Sequence, residues 1–260
     1  MNLENTARHF DLSNKVIVIS GGTRGLGLTM ARAFAEAGAD IVVSSRKQEA
    51  CEHAAKAIED QTDVKCIGVP CHVADWDACD RLVDTALAEF GKIDVLVNNA
   101  GMSPPYERLT DVTRELFDKV VGVNLAGPFR LSAVVGEHMA EYGGGSIINV
   151  SSTAAAMPTA SEIPYGAAKA GLQNLTVGIA QTYGPKVRCN CIMPGPFLTD
   201  ISKAWDMSQM NEFFEQRIPL QRAGEAHEIV GAALYLASDA SSYTNGAVIK
   251  VDGGLSYSPS

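Results

Sequence analysis

The chain alternates between short, continuously apolar runs and longer stretches whose apolar residues recur at helical spacing. Residues 15–20 carry Val16, Ile17, Val18 and Ile19 between turn residues, the pattern of a strand buried on both faces. A glycine-rich turn follows, and then a helical pattern that stops at Gly38. The same alternation predicts a strand at 40–45, a helix at 48–60, a strand at 64–72, a helix at 75–90 and a strand at 93–97. Further on it predicts strands at 146–150, 186–192 and 246–251, with helices running to Tyr183 and from 225 to 237. Repeated βα units of this kind call for an α/β fold, a Rossmann-type doubly wound sheet of seven parallel strands with helices on both faces. Ligands of such sheets lie beyond the strand C-termini.

Two stretches depart from the pattern. Residues 110–139 are long for one helix and contain Pro128, so a kinked helix or two segments are expected there. Between 196 and 218 the alternation lapses, and Trp205, Met207, Met210, Phe213 and Phe214 form an apolar but irregular stretch. An irregular stretch of that length in a compact domain is expected to serve as a lid over the substrate, the other reading being a packed helical hairpin.

Composition narrows the class. With 260 residues, 46% hydrophobic and 20% charged, the chain suits one domain spanning 1–260 with a substantial core. A net charge of −9 argues against a nucleic-acid partner. No run of 18 apolar residues occurs and the first residues hold no apolar segment, so neither membrane insertion nor secretion is expected and the location is read as cytoplasmic. The six cysteines form no CxxC pair and are read as reduced core residues. Cys189 and Cys191 share a strand face but lack the further ligands of a metal site, so no metal is expected. There is no HExxH, and neither Ser151 nor Ser152 stands in GxSxG.

The candidate chemistry lies in the turns. Gly21, Gly22, Gly25 and Gly27 fall within seven positions, with Thr23, Arg24 and Leu26 among them. Between a strand and a helix, such a loop cradles phosphate, because bare backbone N–H groups and the helix dipole face the anion. An acid at the tip of the second strand would take ribose hydroxyls, whereas this tip carries Ser45 and Arg46, with Arg24 as a second arm. NADP(H) is therefore expected rather than NAD. Asn98 to Gly101, AsnAsnAlaGly, closes another strand level with the glycine loop, so Asn99, Ala100 and Gly101 suit a floor for the adenine ribose. Asn124 stands among apolar residues in a helical stretch, a costly position unless its amide is bonded.

Tyr165 and Lys169 are four apart, which on a helix stacks them on one face. An adjacent ammonium favours phenolate, and a tyrosine so lowered can exchange a proton with a carbonyl or alcohol oxygen near neutral pH. Ser152, at the end of the run 146–150, is positioned to hold the same oxygen.

Taken together, the glycine loop 20–27 (with Ser20 where Thr is usual), AsnAsnAlaGly, Asn124, Ser152, Tyr165/Lys169 and Pro194–Gly195 resemble the short-chain dehydrogenase/reductase family over essentially the whole chain. The resemblance implies a tetrad: Tyr165 as acid/base, Ser152 polarising the carbonyl, Lys169 binding the nicotinamide ribose and lowering the tyrosine, and Asn124 holding a relay water. It further implies that Pro194, Gly195, Phe197 and Thr199 meet the carboxamide end of the cofactor. At the adenine end the family usually has Asp before Val73, and this chain has His72. Ser103, Pro104, Pro105, Thr153, Phe197 and Trp205 are the expected pocket walls beside Ser152 and Tyr165. The substrate is expected to be a carbonyl or secondary alcohol, of 3-oxoacyl or of sugar and polyol type, and the assembly a homotetramer through the two long helices and the last strand. An epimerase or dehydratase, or a non-catalytic NADP-binding sensor or scaffold, are the alternatives.

Overall fold

The computed structural model describes residues 8–200, 202 and 206–257. In chain order the elements are β1 (Val16–Ser20), α1 (Gly25–Glu36), β2 (Asp40–Ser45), α2 (Gln48–Glu59), β3 (Cys66–Pro70), α3 (Trp76–Phe90) and β4 (Val95–Asn98). There follow α4 (Arg114–Val121), α5 (Gly127–Tyr142), β5 (Gly145–Val150), α6 (Ile163–Tyr183), β6 (Val187–Pro194) and β7 (Phe197–Leu198). The last are α7 (Met207–Arg217), β8 (Gly224–Glu225), α8 (Val230–Ala237) and β9 (Val248–Val251). The seven long strands form one parallel sheet in the order β3-β2-β1-β4-β5-β6-β9, while β7 and β8 pair separately. The chain reverses its direction of travel across the sheet between β1 and β4, the switch point at which such sheets bind ligands.

The continuous apolar strands are explained by two cores. Ile17 and Ile19 of β1 face one side, with Met30 and Phe34 of α1, Ile58 of α2 and Leu236 of α8. Val18, between them, faces the other side with Leu82 of α3, Leu131 of α5 and Ile179 of α6. A strand covered on both faces has no position left for a polar alternation.

Two sequence expectations need correction. The distortion in 110–139 lies at Gly122–Ala126, a π-helical turn between α4 and α5, and not at Pro128. Pro128 is the second residue of α5, directly after that turn. Gly127 packs so tightly on the loop after β3 that a Cβ there would lie 2.3 Å from the Val73 carbonyl oxygen. The second concerns only the irregularity expected at 196–218, which holds β7 and the regular helix α7. The Asp206 carboxylate caps α7, accepting from Ser208 N at 3.1 Å, and Phe214 buries itself with Ile218, Ala223 and Leu255. Trp205 lies outside the described residues.

Candidate active site

The glycine loop leaves β1 at Ser20 with two residues in the left-handed region, Gly21 at φ +65° and Gly25 at φ +54°. Its shape is held from β4. Asn99 donates from Nδ2 to the carbonyls of Ser20 (3.1 Å) and Gly21 (2.9 Å). The Ser20 hydroxyl accepts from the backbone N–H of Asn99 and Ala100, each at 3.2 Å, and donates to Val97 O at 3.3 Å. The Asn99 amide, expected to face ribose, is thus committed to the loop itself. A Cβ on Gly27 would stand 2.2 Å from Gly21 O and 2.4 Å from Asn99 Nδ2, so the start of α1 sits against the loop with no room between.

At the outer end of the cleft, Arg24 and Arg46 are exposed and form no ion pair among the described residues. Ser45 is partly turned inward, its N–H donating to Cys51 Sγ at 3.1 Å and its hydroxyl 3.3 Å from the same sulfur. His72 is half-buried on the loop after β3, and Val73 beside it is buried. At the inner end, Thr199 faces the glycine loop, its Cβ 3.7 Å from where a Cβ on Gly25 would stand. Pro194 ends β6 and Gly195 follows it, too close to Asp252 for a side chain. Phe197, expected on the pocket wall, is instead 6% exposed in the core, its ring against Gly224. Thr153 is likewise buried.

Two residues beyond Asn99 the loop meets the polar centre. A Cβ on Gly101 would lie 3.0 Å from Asn124 Oδ1 and 3.5 Å from Lys169 Nζ, so both groups converge on the end of AsnAsnAlaGly. Asn124 is fully buried in the π turn. Its Nδ2 donates to Val120 O (2.9 Å) and Met102 O (2.8 Å), and its Oδ1 accepts from Met102 N (3.2 Å). The bonds that offset its burial run to the chain and fasten the loop after β4.

Lys169 is 2% exposed and donates from Nζ to Val150 O at 2.7 Å. Nζ stands 5.7 Å from the centroid of the Tyr165 ring, over its face. Ser151 donates to Lys169 O at 3.1 Å and accepts from Gln173 Nε2 at 3.1 Å, pinning α6 to β5. Gly166 lets α6 approach the turn after Ser152, where a Cβ would meet Ala154 O at 2.6 Å. Ser152 thereby comes to the side of Tyr165, its hydroxyl accepting from Ala154 N at 3.2 Å.

The electrostatics differ from the sequence expectation. Burial raises the Tyr165 phenol above its ordinary value, the Ser152 hydroxyl lowers it in part, and the Glu162 charge adds to the rise. Burial pushes the Lys169 ammonium down to about 8. The Lys169 charge is itself weakened by burial, and its Nζ is hydrogen-bonded to Val150 O. Cys191 lies beside Lys169 and stays a thiol, burial holding it up at about 12.

A measurable consequence follows for Lys169. Its ordinary value is about 10.4, so between pH 8 and that value the unfolded chain binds more protons than the folded one. Stability contributed at this position therefore rises with pH across that window. The melting temperature of the wild type minus that of Lys169→Met is expected to increase from pH 7 to pH 9.5, and a flat difference would contradict the shift.

Beside Tyr165, on the side of the α6 N-terminus, lies a cleft of about 190 Å³ including its open mouth. Ser103, Pro104, Tyr106, Leu116, Val120, Glu162 and Pro164 line it with Tyr165. Tyr106 joins the two segments, donating to Ala160 O at 2.9 Å and accepting from Ile163 N at 2.9 Å. Tyr106, Leu116, Val120 and Glu162 carried no signal in the sequence, since each depends on how the loop after β4 folds over α6.

A model of the family described as Enoyl-(Acyl carrier protein) reductase matches residues 21–256. Dehydrogenase/reductase SDR family member 4 of Oryctolagus cuniculus is 36% identical over 249 residues, covering 95% of each chain. The chain belongs to the short-chain dehydrogenase/reductase family. This is a family of oxidoreductases, and further dehydrogenases resemble this chain. L-rhamnose 1-dehydrogenase (NAD(P)(+)) of Azotobacter vinelandii is 38% identical, covering 94% of this chain and 97% of that one. The structure of a gluconate 5-dehydrogenase from Burkholderia cenocepacia in complex with NADP and tartrate superposes with a TM-score of 0.93. That gluconate 5-dehydrogenase is 33% identical, and the match covers 98% of this chain and all of the other. No helix among the described residues is long and apolar enough to cross a membrane. Among those residues no group of three His, Cys, Asp or Glu is gathered as a metal site would be.

Proposed function

We propose that this protein interconverts a carbonyl and a secondary alcohol with NADP(H), Tyr165 acting as the acid/base. The observation that carries the reading is the convergence of Asn124, Lys169, Tyr165 and Ser152 at the end of the loop that braces the glycine turn. The cradle fits a dinucleotide. Gly21 and Gly25 hold left-handed backbone, and the Gly27 approach excludes any side chain where a pyrophosphate comes close. Arg24 and Arg46, uncommitted to any carboxylate among the described residues, would take the 2′-phosphate, and Tyr165 and Lys169 the nicotinamide ribose.

When bound, the dihydronicotinamide supplies a hydride, two electrons and one proton, to the carbonyl carbon. The chain supplies the rest. Ser152 donates to the carbonyl oxygen and polarises it. Tyr165 gives its phenolic proton to that oxygen as the C=O π bond breaks, leaving an alcohol and a phenolate. A phenol held above its ordinary value is protonated at neutral pH, the state this direction needs. Lys169, mostly charged below pH 8, stabilises the phenolate and can return a proton to it. Asn124 holds Met102 and, through it, the floor of the site. In the same reading α7 and its flanks form the lid, and copies of the chain assemble as a homotetramer through α5, α6 and β9.

Arg46→Ala is expected to raise the Kd for NADPH about tenfold or more while leaving that for NADH within twofold, because it removes a charge-assisted phosphate contact. Fluorescence titration with both nucleotides measures this. Equal losses on the two would remove the 2′-phosphate assignment.

A further inference from the structure

The cleft beside Tyr165 holds one ionised group, Glu162, among the described residues that line it. Its carboxylate accepts from Thr159 N at 3.1 Å and pairs with no cation among the described residues. Pro104, Leu116, Val120 and Pro164 supply the apolar walls. Both bonding directions of the Tyr106 hydroxyl are already occupied by backbone groups.

We propose that the site takes a compact carbonyl compound carrying a cationic nitrogen, which Glu162 recognises while Tyr165 faces the carbonyl. The proposal rests on the reading of the site as a carbonyl reductase and names the substrate class. A polyhydroxylated substrate would turn most of its hydroxyls toward proline, leucine and valine, with Ser103 as the small hydroxyl on the described wall. An amine with an alkyl or cyclic body puts carbon against those walls and charge at the carboxylate. An anionic substrate meets a fixed negative charge in a half-buried cleft, where water screens it less than at the surface. The chain's net charge of −9 acts in the same sense. The Glu162 charge also adds, behind burial, to the rise of the Tyr165 phenol.

Three ketones of like shape test the proposal with the NADPH-loaded protein: the quaternary dimethyl-oxopiperidinium cation, its neutral isostere dimethylcyclohexanone, and oxocyclohexanecarboxylate. The expected order of kcat/KM is cation above neutral above anion, with the cation favoured over the anion by about a hundredfold at low ionic strength. Glu162→Gln is expected to cut that ratio at least tenfold, and Glu162→Asp to retain most of it. Calorimetric binding of the same three compounds to NADPH-loaded Tyr165→Phe should repeat the order. Equal binding of the three, or a ratio that survives Glu162→Gln, overturns the role of Glu162. Ordered binding without turnover of any ketone by the wild type supports Glu162 and counts instead against carbonyl reduction.

Discussion

Tyr165→Phe is expected to lower kcat/KM for carbonyl reduction by about 10³-fold, within the range set by loss of a positioned general acid. The substitution removes one oxygen and leaves the ring. Lys169 Nζ stands over the face of that ring and is anchored to Val150 O, so neither group loses its place. NADPH affinity should therefore change by less than about threefold. Steady-state kinetics with the best available ketone, beside a fluorescence titration of NADPH, separates the two effects. Turnover retained within tenfold of wild type would rule out Tyr165 as the proton donor.

The second large effect is expected at Gly27. An alanine Cβ there would overlap Gly21 O at 2.2 Å and Asn99 Nδ2 at 2.4 Å, and neither atom can yield without breaking the 2.9 Å bond between them. The glycine turn must open or the start of α1 must tilt. Gly27→Ala is expected to weaken NADPH by about a hundredfold and to cost about 1–3 kcal/mol of stability, the usual cost of overpacking. Gly231→Ala is the matched control. Gly231 lies in α8 with nothing within 4 Å of an added Cβ, and alanine there should stabilise by up to about 1 kcal/mol. Chemical denaturation and nucleotide titration of the two variants read both quantities. If Gly27→Ala binds NADPH as the wild type does, the close approach is not what shapes the cradle.

Much of this arrangement was legible in the residues. Val16 to Ile19 read as a buried strand because both faces of β1 are covered, and the neighbouring strands repeat the pattern. Tyr165 and Lys169 could be stacked on paper because a helix repeat depends only on spacing. The cost of a buried Asn124 could likewise be stated without coordinates, although its partner, the Met102 backbone, could not.

What escaped depended on tertiary placement. The π turn at Gly122–Ala126 has no periodicity of its own, whereas Pro128 is conspicuous and drew the expected kink. Phenol acidity was argued from one neighbour, but burial acts on Tyr165 and Lys169 alike and moves both toward their neutral forms. Met210, Phe214 and Ile218 are spaced four apart and did carry a helical stripe. It was obscured by the exposed Met207 and Phe213 beside it. Glu162 and Tyr106 came together only through the fold of the loop after β4.

The bracing of the glycine turn by Asn99 spans 78 residues of chain. Local sequence therefore does not by itself complete the phosphate cradle, although all its glycines lie before Leu28. During synthesis the first βα unit emerges early but waits for β4 to dock before its carbonyls at 20 and 21 are tied down. Nucleotide capture thus reports the joining of β1 to β4, and a nascent chain released before Asn99 would carry the motif without the finished grip.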